Sequence, residues 1–97
     1  MELEWDEAKG LQTLVERGMD FADVANFDPV SLITAEDLRA DYGELRFNVF
    51  GELHGVLCTY CWTPRNGNMR VISMRKINER ERRSYRASKE RKPADNG

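Results

Sequence analysis

The segment from Val56 to Arg75 constrains the fold more than any other part of this 97-residue chain. Val56–Thr63 is an almost unbroken apolar and aromatic run, the pattern of a strand covered on both sides. Pro64-Arg65-Asn66-Gly67-Asn68 follows, and Asn-Gly is the dipeptide best suited to the positive φ angles of a tight hairpin turn. Met69–Arg75 then reads as a returning strand. Upstream, Leu45, Phe47 and Val49 alternate with Glu44, Arg46 and Asn48, the signature of a half-buried strand, and Leu53-His54-Gly55 supplies a turn. Three consecutive antiparallel strands are therefore expected in the second half.

The first half is mixed. Leu3 and Trp5 alternate with Glu2 and Glu4, which predicts a short first strand. Asp6 can cap a helix over 7–17 that Gly18 ends, and the spacing of Ala8, Leu11, Leu14, Val15 and Gly18 predicts that this face turns inward. Lys9, Gln12, Thr13 and Glu16 would face water. A second, short helix is predicted from Asp20, with Phe21, Val24 and Ala25 inward, ending at Asp28-Pro29. Val30–Ala35 reads as a strand, and Glu36–Gly43 as an acidic loop. Asn78 with Glu81 resembles a capping box for a last helix reaching about residue 91. The order β-α-α-β-β-β-α is an α+β arrangement, one mainly antiparallel sheet packed against helices. Residues 1–92 form a single domain in this reading, and 93–97 a flexible tail.

The charge distribution is uneven. Residues 1–64 carry four basic and thirteen acidic side chains, whereas 65–92 carry eleven basic and three acidic. Such asymmetry points to a polyanion or an acidic partner at the C-terminal end. No apolar run approaches the ~18–20 residues that span a bilayer. The acidic start, Met1-Glu2-Leu3-Glu4, is unlike a secretory signal, so a cytoplasmic, non-membrane protein is expected.

Neither cofactor nor metal is expected. Cys58-Thr59-Tyr60-Cys61 has C-x-x-C spacing with His54 nearby, but residues three apart on a strand point to opposite faces and cannot converge on one ion. Two buried, reduced cysteines are the better reading. Glu36, Asp37, Asp41 and Glu44 lack the glycine and spacing of an EF-hand loop, and solvated loop carboxylates are common. The region from Arg70 to Tyr85 carries more information. Arg70, Arg75 and Lys76 lie on or just after the last strand, and Arg80, Arg82, Arg83 and Arg86 follow on the helix. Arginine dominates lysine there, and its planar fork grips phosphate at two points. The helix arginines could equally belong to a solvated face laced with pairs such as Glu79–Arg83. Strand arginines under a helix are poorly solvated and call for an anionic partner.

The sequence resembles the BrnT toxins of bacterial toxin–antitoxin modules, ribonucleases with a RelE-like fold. The resemblance covers about residues 2–88. It rests on Glu4-Trp5-Asp6-Glu7-x-Lys9, Gly18 with Phe21-Ala22-Asp23-Val24-Ala25, and Phe27-Asp28-Pro29. Gly43-Glu44-x-Arg46, Arg70-Val71-Ile72-Ser73-Met74-Arg75-Lys76 and Glu81-Arg82-Arg83-x-Tyr85 complete it. Where the family usually has two asparagines after its lysine, this chain has Gly10 and Thr13. The usual Lys-His-Gly is Glu16-Arg17-Gly18, and Met74 replaces a small residue. An arginine at position 17 cannot exchange a proton near neutral pH.

The resemblance implies a metal-independent endoribonuclease that cleaves mRNA, inhibits translation and is neutralised by a BrnA-like antitoxin in a hetero-oligomer. RNA supplies its own nucleophile, the 2′-hydroxyl. Cleavage then needs a base, stabilisation of the phosphorane and protonation of the leaving 5′-oxygen. Arg46, Arg70 and Arg75 are the candidates for binding and stabilising phosphate, with Lys76, Arg80, Arg82, Arg83 and Arg86 as wider RNA contacts. Glu44 or Lys9 could act as base. Tyr85 could orient or donate a proton, or simply pack the last helix. The rival reading is a non-catalytic interaction module that binds an acidic antitoxin segment or nucleic acid through the basic C-terminal region.

Overall fold

The computed structural model describes residues 1–91; the tail assigned to 93–97 lies outside them. In chain order the elements are β1 (Leu3–Trp5), α1 (Glu7–Arg17), two 3-10 turns (Phe21–Asn26 and Pro29–Ser31), β2 (Ile33–Glu36), β3 (Phe47–Leu53), β4 (Val56–Arg65), β5 (Asn68–Lys76) and α2 (Glu79–Glu90). One sheet runs β1-β5-β4-β3-β2. The last four strands form an antiparallel meander, and β1 joins its far edge parallel to β5. The strand expected at Val30–Ala35 is present as Ile33–Glu36, paired along β3 at the sheet edge, so the sheet has five strands where the order β-α-α-β-β-β-α counts four. Asn66 and Gly67 both take positive φ, 53° and 78°, as a tight β4–β5 turn demands.

One face of the sheet makes the core. Val49, Cys58, Tyr60, Val71 and Met74 meet Met19, Phe21, Val24 and Phe27 from the segment after α1. Phe27 and Tyr60 meet edge-to-face at 4.9 Å. The region expected as a second helix is a 3-10 turn capped by Asp20, which accepts from the Ala22 amide at 2.9 Å. Pro29 opens a second such turn, so β2 begins at Ile33 rather than Val30. Ala25 is exposed there, contrary to its expected inward position.

The orientation of α1 also differs from its periodicity. Gly10 and Thr13 are buried, whereas Leu11, Leu14 and Val15 are 63, 44 and 76 % exposed. The cause is Trp5. A Cβ at Gly10 would stand 2.8 Å from the Trp5 Cδ1 atom, so the bare backbone of position 10 is what lets the indole lie against the helix. Turning the leucines inward would place a side chain in that space. At the other end of α1, the Arg17 Nη1 donates to the Met74 carbonyl at 2.8 Å and ties the helix to β5.

Candidate active site

The opposite face of the sheet is where the arginines gather, and a bulge puts them there. On β4, Thr63, Cys61 and Thr59 point to one side, since strand residues alternate. Their partners on β5 are Arg70, Ser73 and Arg75. The register shifts between Cys61 and Trp62, so Ile72 is an extra residue on β5. A bulge of this kind re-aims the side chains beyond it. Arg70 and Arg75, an odd number of positions apart, thereby share a face, about 13–14 Å apart along the strand. Glu4 is the register partner of Arg70 on β1, and Asn48 that of Cys61 on β3.

Each arginine of this face is held by a carboxylate. Arg70 donates to Glu4 at 3.0 Å, and Asn68 donates to the same group at 3.0 Å. Arg46 and Arg65 share Glu44 at 3.0 and 3.2 Å, and the Arg46 guanidinium lies 4.1 Å from the centre of the Tyr42 ring. Arg75 grips Glu81 of α2 with two bonds of 2.8 Å. Arg39 grips Asp37 in the same forked manner. These partners shift the carboxyls in one direction. Bonds from Asn68 and Arg70 lower the Glu4 pKa, and the Arg46 and Arg65 guanidiniums lower that of Glu44. Arg75, aided by the Asn78 amide, holds Glu81 at about 2 against the opposing effect of desolvation. The Arg39 fork holds Asp37 well below the usual carboxylate range. The anionic partner expected for the strand arginines is thus within the chain.

A polar cleft of about 250 Å³ opens on this face, lined by Arg39, Asn48, Phe50, Thr59, Tyr60, Cys61, Ser73, Arg75 and Glu81. Of the residues singled out from sequence, Arg75 lines it. Arg70 and Arg46 stand on the same sheet face outside it. Lys9 is exposed on α1, and its charge reaches Cys61 in the cleft wall. Lys76 alternates to the Cys58 side, with which it pairs in register. Arg82 and Arg83 reach Glu79 at 3.3 and 3.8 Å, and Arg80 and Arg86 are exposed on α2. Tyr85 is buried, and its hydroxyl donates to the Ser31 carbonyl at 2.6 Å. Desolvation raises its pKa. It lines an adjoining groove with Ile33, Ala35 and Ser88, which meets the cleft at Phe50 and Glu81.

Arg39 is the cleft arginine that sequence reading missed, because Glu36–Gly43 read as a solvated acidic loop. The Asp37 side chain is instead 1 % exposed, while Arg39 remains 74 % exposed. The available signal was the Asp-x-Arg spacing followed by Tyr42, whose hydroxyl also reaches Asp37 at 3.4 Å. Cys58 and Cys61 are buried and free, with thiol pKa values raised by desolvation. Among the described residues no group of three or more His, Cys, Asp or Glu side chains is arranged to hold a metal ion. None of their helices is long and apolar enough to cross a membrane.

No curated protein matches the sequence. Among solved structures, the chain is similar to the Brucella abortus ribonuclease toxin BrnT, with 29 % identity and a TM-score of 0.63 over 81 % of this chain and 99 % of that one. Residues 5–81 match the family described as the ribonuclease toxin, BrnT, of type II toxin–antitoxin systems. The chain belongs to the BrnT family of ribonuclease toxins.

Proposed function

We propose that this toxin cleaves RNA on the open sheet face, without a metal ion, by attack of the substrate's own 2′-hydroxyl. The observation that carries the proposal is the bulge at Ile72, which brings Arg70, Ser73 and Arg75 to one face. A row of guanidiniums there can follow a phosphate backbone and stabilise the charge that builds on a phosphorane. Arg75 lies in the cleft and takes the reacting region, while Arg70 and Arg46 hold flanking phosphates. Arg80 and Arg86 extend the basic surface along α2.

Charge stabilisation is better supported than carboxylate base catalysis. A general base works best with a pKa near the working pH, and Glu44 is held below the ordinary carboxylate range by Arg46 and Arg65. Glu44 therefore serves to orient two arginines. Lys9 projects from α1 near enough to the cleft for its charge to act on Cys61, and it can add to the positive charge there. Tyr85 anchors α2 to the turn before β2 through Ser31, and so positions Glu81. With the carboxylates of the face committed to arginines, a two-metal mechanism would lack the convergent ligands it needs.

The family implies an antitoxin partner. We take it to be BrnA-like, forming a hetero-oligomer with the toxin in the cytoplasm, with mRNA as the target and translation as the process arrested. The test is induced expression with and without the product of the neighbouring small open reading frame, followed by growth and RNA integrity. Growth arrest with fragmented RNA, relieved by the neighbour, is the expected result. Arrest with intact RNA would favour a binding module over a nuclease.

A further inference from the structure

We infer that Arg39 and Arg75 form a two-armed anion site that takes one phosphodiester group, with Asp37 and Glu81 as the positioning residues that aim the two guanidiniums. The inference rests on the open face being the RNA surface and goes further, to one phosphate and four side chains.

Both arginines line the same cleft. They come from different parts of the chain, Arg39 from the loop after β2 and Arg75 from the end of β5. Each is braced in the same way. The Arg39 Nε and Nη2 donate to the two Asp37 oxygens at 2.8 and 2.6 Å. The Arg75 Nη1 and Nη2 donate to the two Glu81 oxygens, and Nη1 also reaches the Lys76 carbonyl at 3.3 Å. A guanidinium has five N–H donors. The Asp37 fork leaves the Arg39 Nη1 pair and one Nη2 hydrogen uncommitted to it, with the Tyr42 hydroxyl also beside that guanidinium, and the Glu81 fork leaves the Arg75 Nε–H and one Nη2 hydrogen uncommitted. The two cations are also close enough for Arg39 to oppose the positive charge of Arg75. An anion between them would relieve that repulsion and take up donors the carboxylates leave unused.

The braces are themselves fixed. Asp37 is buried, its amide bonded to the Arg46 carbonyl at 2.8 Å, and its oxygens also bond the Arg39 amide and the Tyr42 hydroxyl. Glu81 accepts from the Asn78 amide at 2.9 Å as part of the capping box that starts α2. Both forks are therefore preset, and little side-chain entropy remains to be lost on binding. Asn48 and Ser73 make the floor polar beside the esterified ends of a phosphodiester, while the Thr59 hydroxyl is given to the Val49 carbonyl at 2.9 Å.

The test uses the full chain and two probes. Inorganic phosphate is titrated while the arginine side-chain N–H resonances are followed by NMR. The Arg39 and Arg75 signals should move together and saturate at one dissociation constant, and Asp37→Asn should weaken that constant at least tenfold while the amide spectrum stays folded. Arg70 or Arg46 signals moving instead, or no signal moving, would overturn the site. The second probe is a fully 2′-O-methylated oligoribonucleotide, which binds but cannot be cut. On a single strand, each phosphate that the protein neutralises adds about 0.7 to the salt slope. If the arginines share one phosphate, Arg39→Ala combined with Arg75→Ala should reduce the slope by about 0.7. A reduction of about 1.4 would mean two separate phosphates and would contradict the proposal. Cleavage of unmodified RNA is measured in parallel. A phosphate response without cleavage would defeat the nuclease reading alone, and cleavage without the coupled response would defeat the two-armed site alone.

Discussion

Arg70 and Arg75 lie an odd number of residues apart on β5 and yet point to the same face, because Ile72 is inserted opposite the Cys61–Trp62 step of β4. A regular strand would have sent one of them into the core beside Val71 and Met74. Their shared orientation predicts that Arg70→Ala and Arg75→Ala both lower RNA cleavage, by about 100-fold at Arg75, where an arginine faces developing charge. Arg91→Ala, after the end of α2, should change it less than about twofold. Equal losses from all three variants, measured as initial rates on one RNA, would show diffuse charge rather than a site.

A second prediction concerns α1. Gly10→Ala places a methyl group against the Trp5 indole and should cost about 1–3 kcal/mol, the usual range for overpacking. Val15→Gln, on the exposed stripe, should stay within about 0.5 kcal/mol. Urea unfolding monitored by tryptophan fluorescence separates the two. The reverse order would restore the orientation suggested by the leucine periodicity.

The third prediction is a pH dependence at the start of α2. The Glu81 carboxyl is lowered from 4.5 to about 2 by Arg75 and the Asn78 amide. A carboxyl with a depressed folded-state pKa stabilises the fold above its unfolded value and loses that contribution as pH falls through the folded one. The Arg75–Glu81 brace should therefore persist at pH 5 and weaken between about 4.5 and 2. Glu81→Gln should flatten the stability profile in that window, and an unchanged profile would mean the pair contributes nothing.

Tyr85→Phe supplies the fourth. Removing its hydroxyl leaves the Ser31 carbonyl without its 2.6 Å partner, at a cost of about 1–3 kcal/mol for a buried acceptor. If Tyr85 only anchors α2, cleavage at a temperature where the variant is fully folded should remain within about threefold of the parent rate. A loss of about 100-fold or more would instead make it a proton donor.

These variants also mark what was legible in the sequence. The β3–β4–β5 meander was legible because alternation and Asn66-Gly67 act locally. The caps at Asp6 and Asn78 were legible for the same reason. The inward face of α1 was not, because it depends on an indole from β1 filling the space over a glycine. The shared face of Arg70 and Arg75 depends on a bulge that one strand's sequence does not announce. Arg39 stayed hidden because the burial of Asp37 comes from tertiary contacts with β3, while its loop composition reads as solvated. The carboxylate partners of Arg70 and Arg75 come from β1 and α2, elements that only the fold brings to the sheet face.

Metal-free attack by the 2′-hydroxyl is tested with two RNA substrates that differ at one atom. One is an all-ribose oligonucleotide containing a mapped cut site, and the other carries a single 2′-deoxy nucleotide on the 5′ side of that cut. Each is incubated with the protein in EDTA and in Mg²⁺. Equal cleavage of the ribose substrate in both conditions, a product ending in a cyclic phosphate, and no cut at the deoxy position are expected. Cleavage of the deoxy substrate, or loss of activity in EDTA that excess Mg²⁺ restores, would contradict that mechanism.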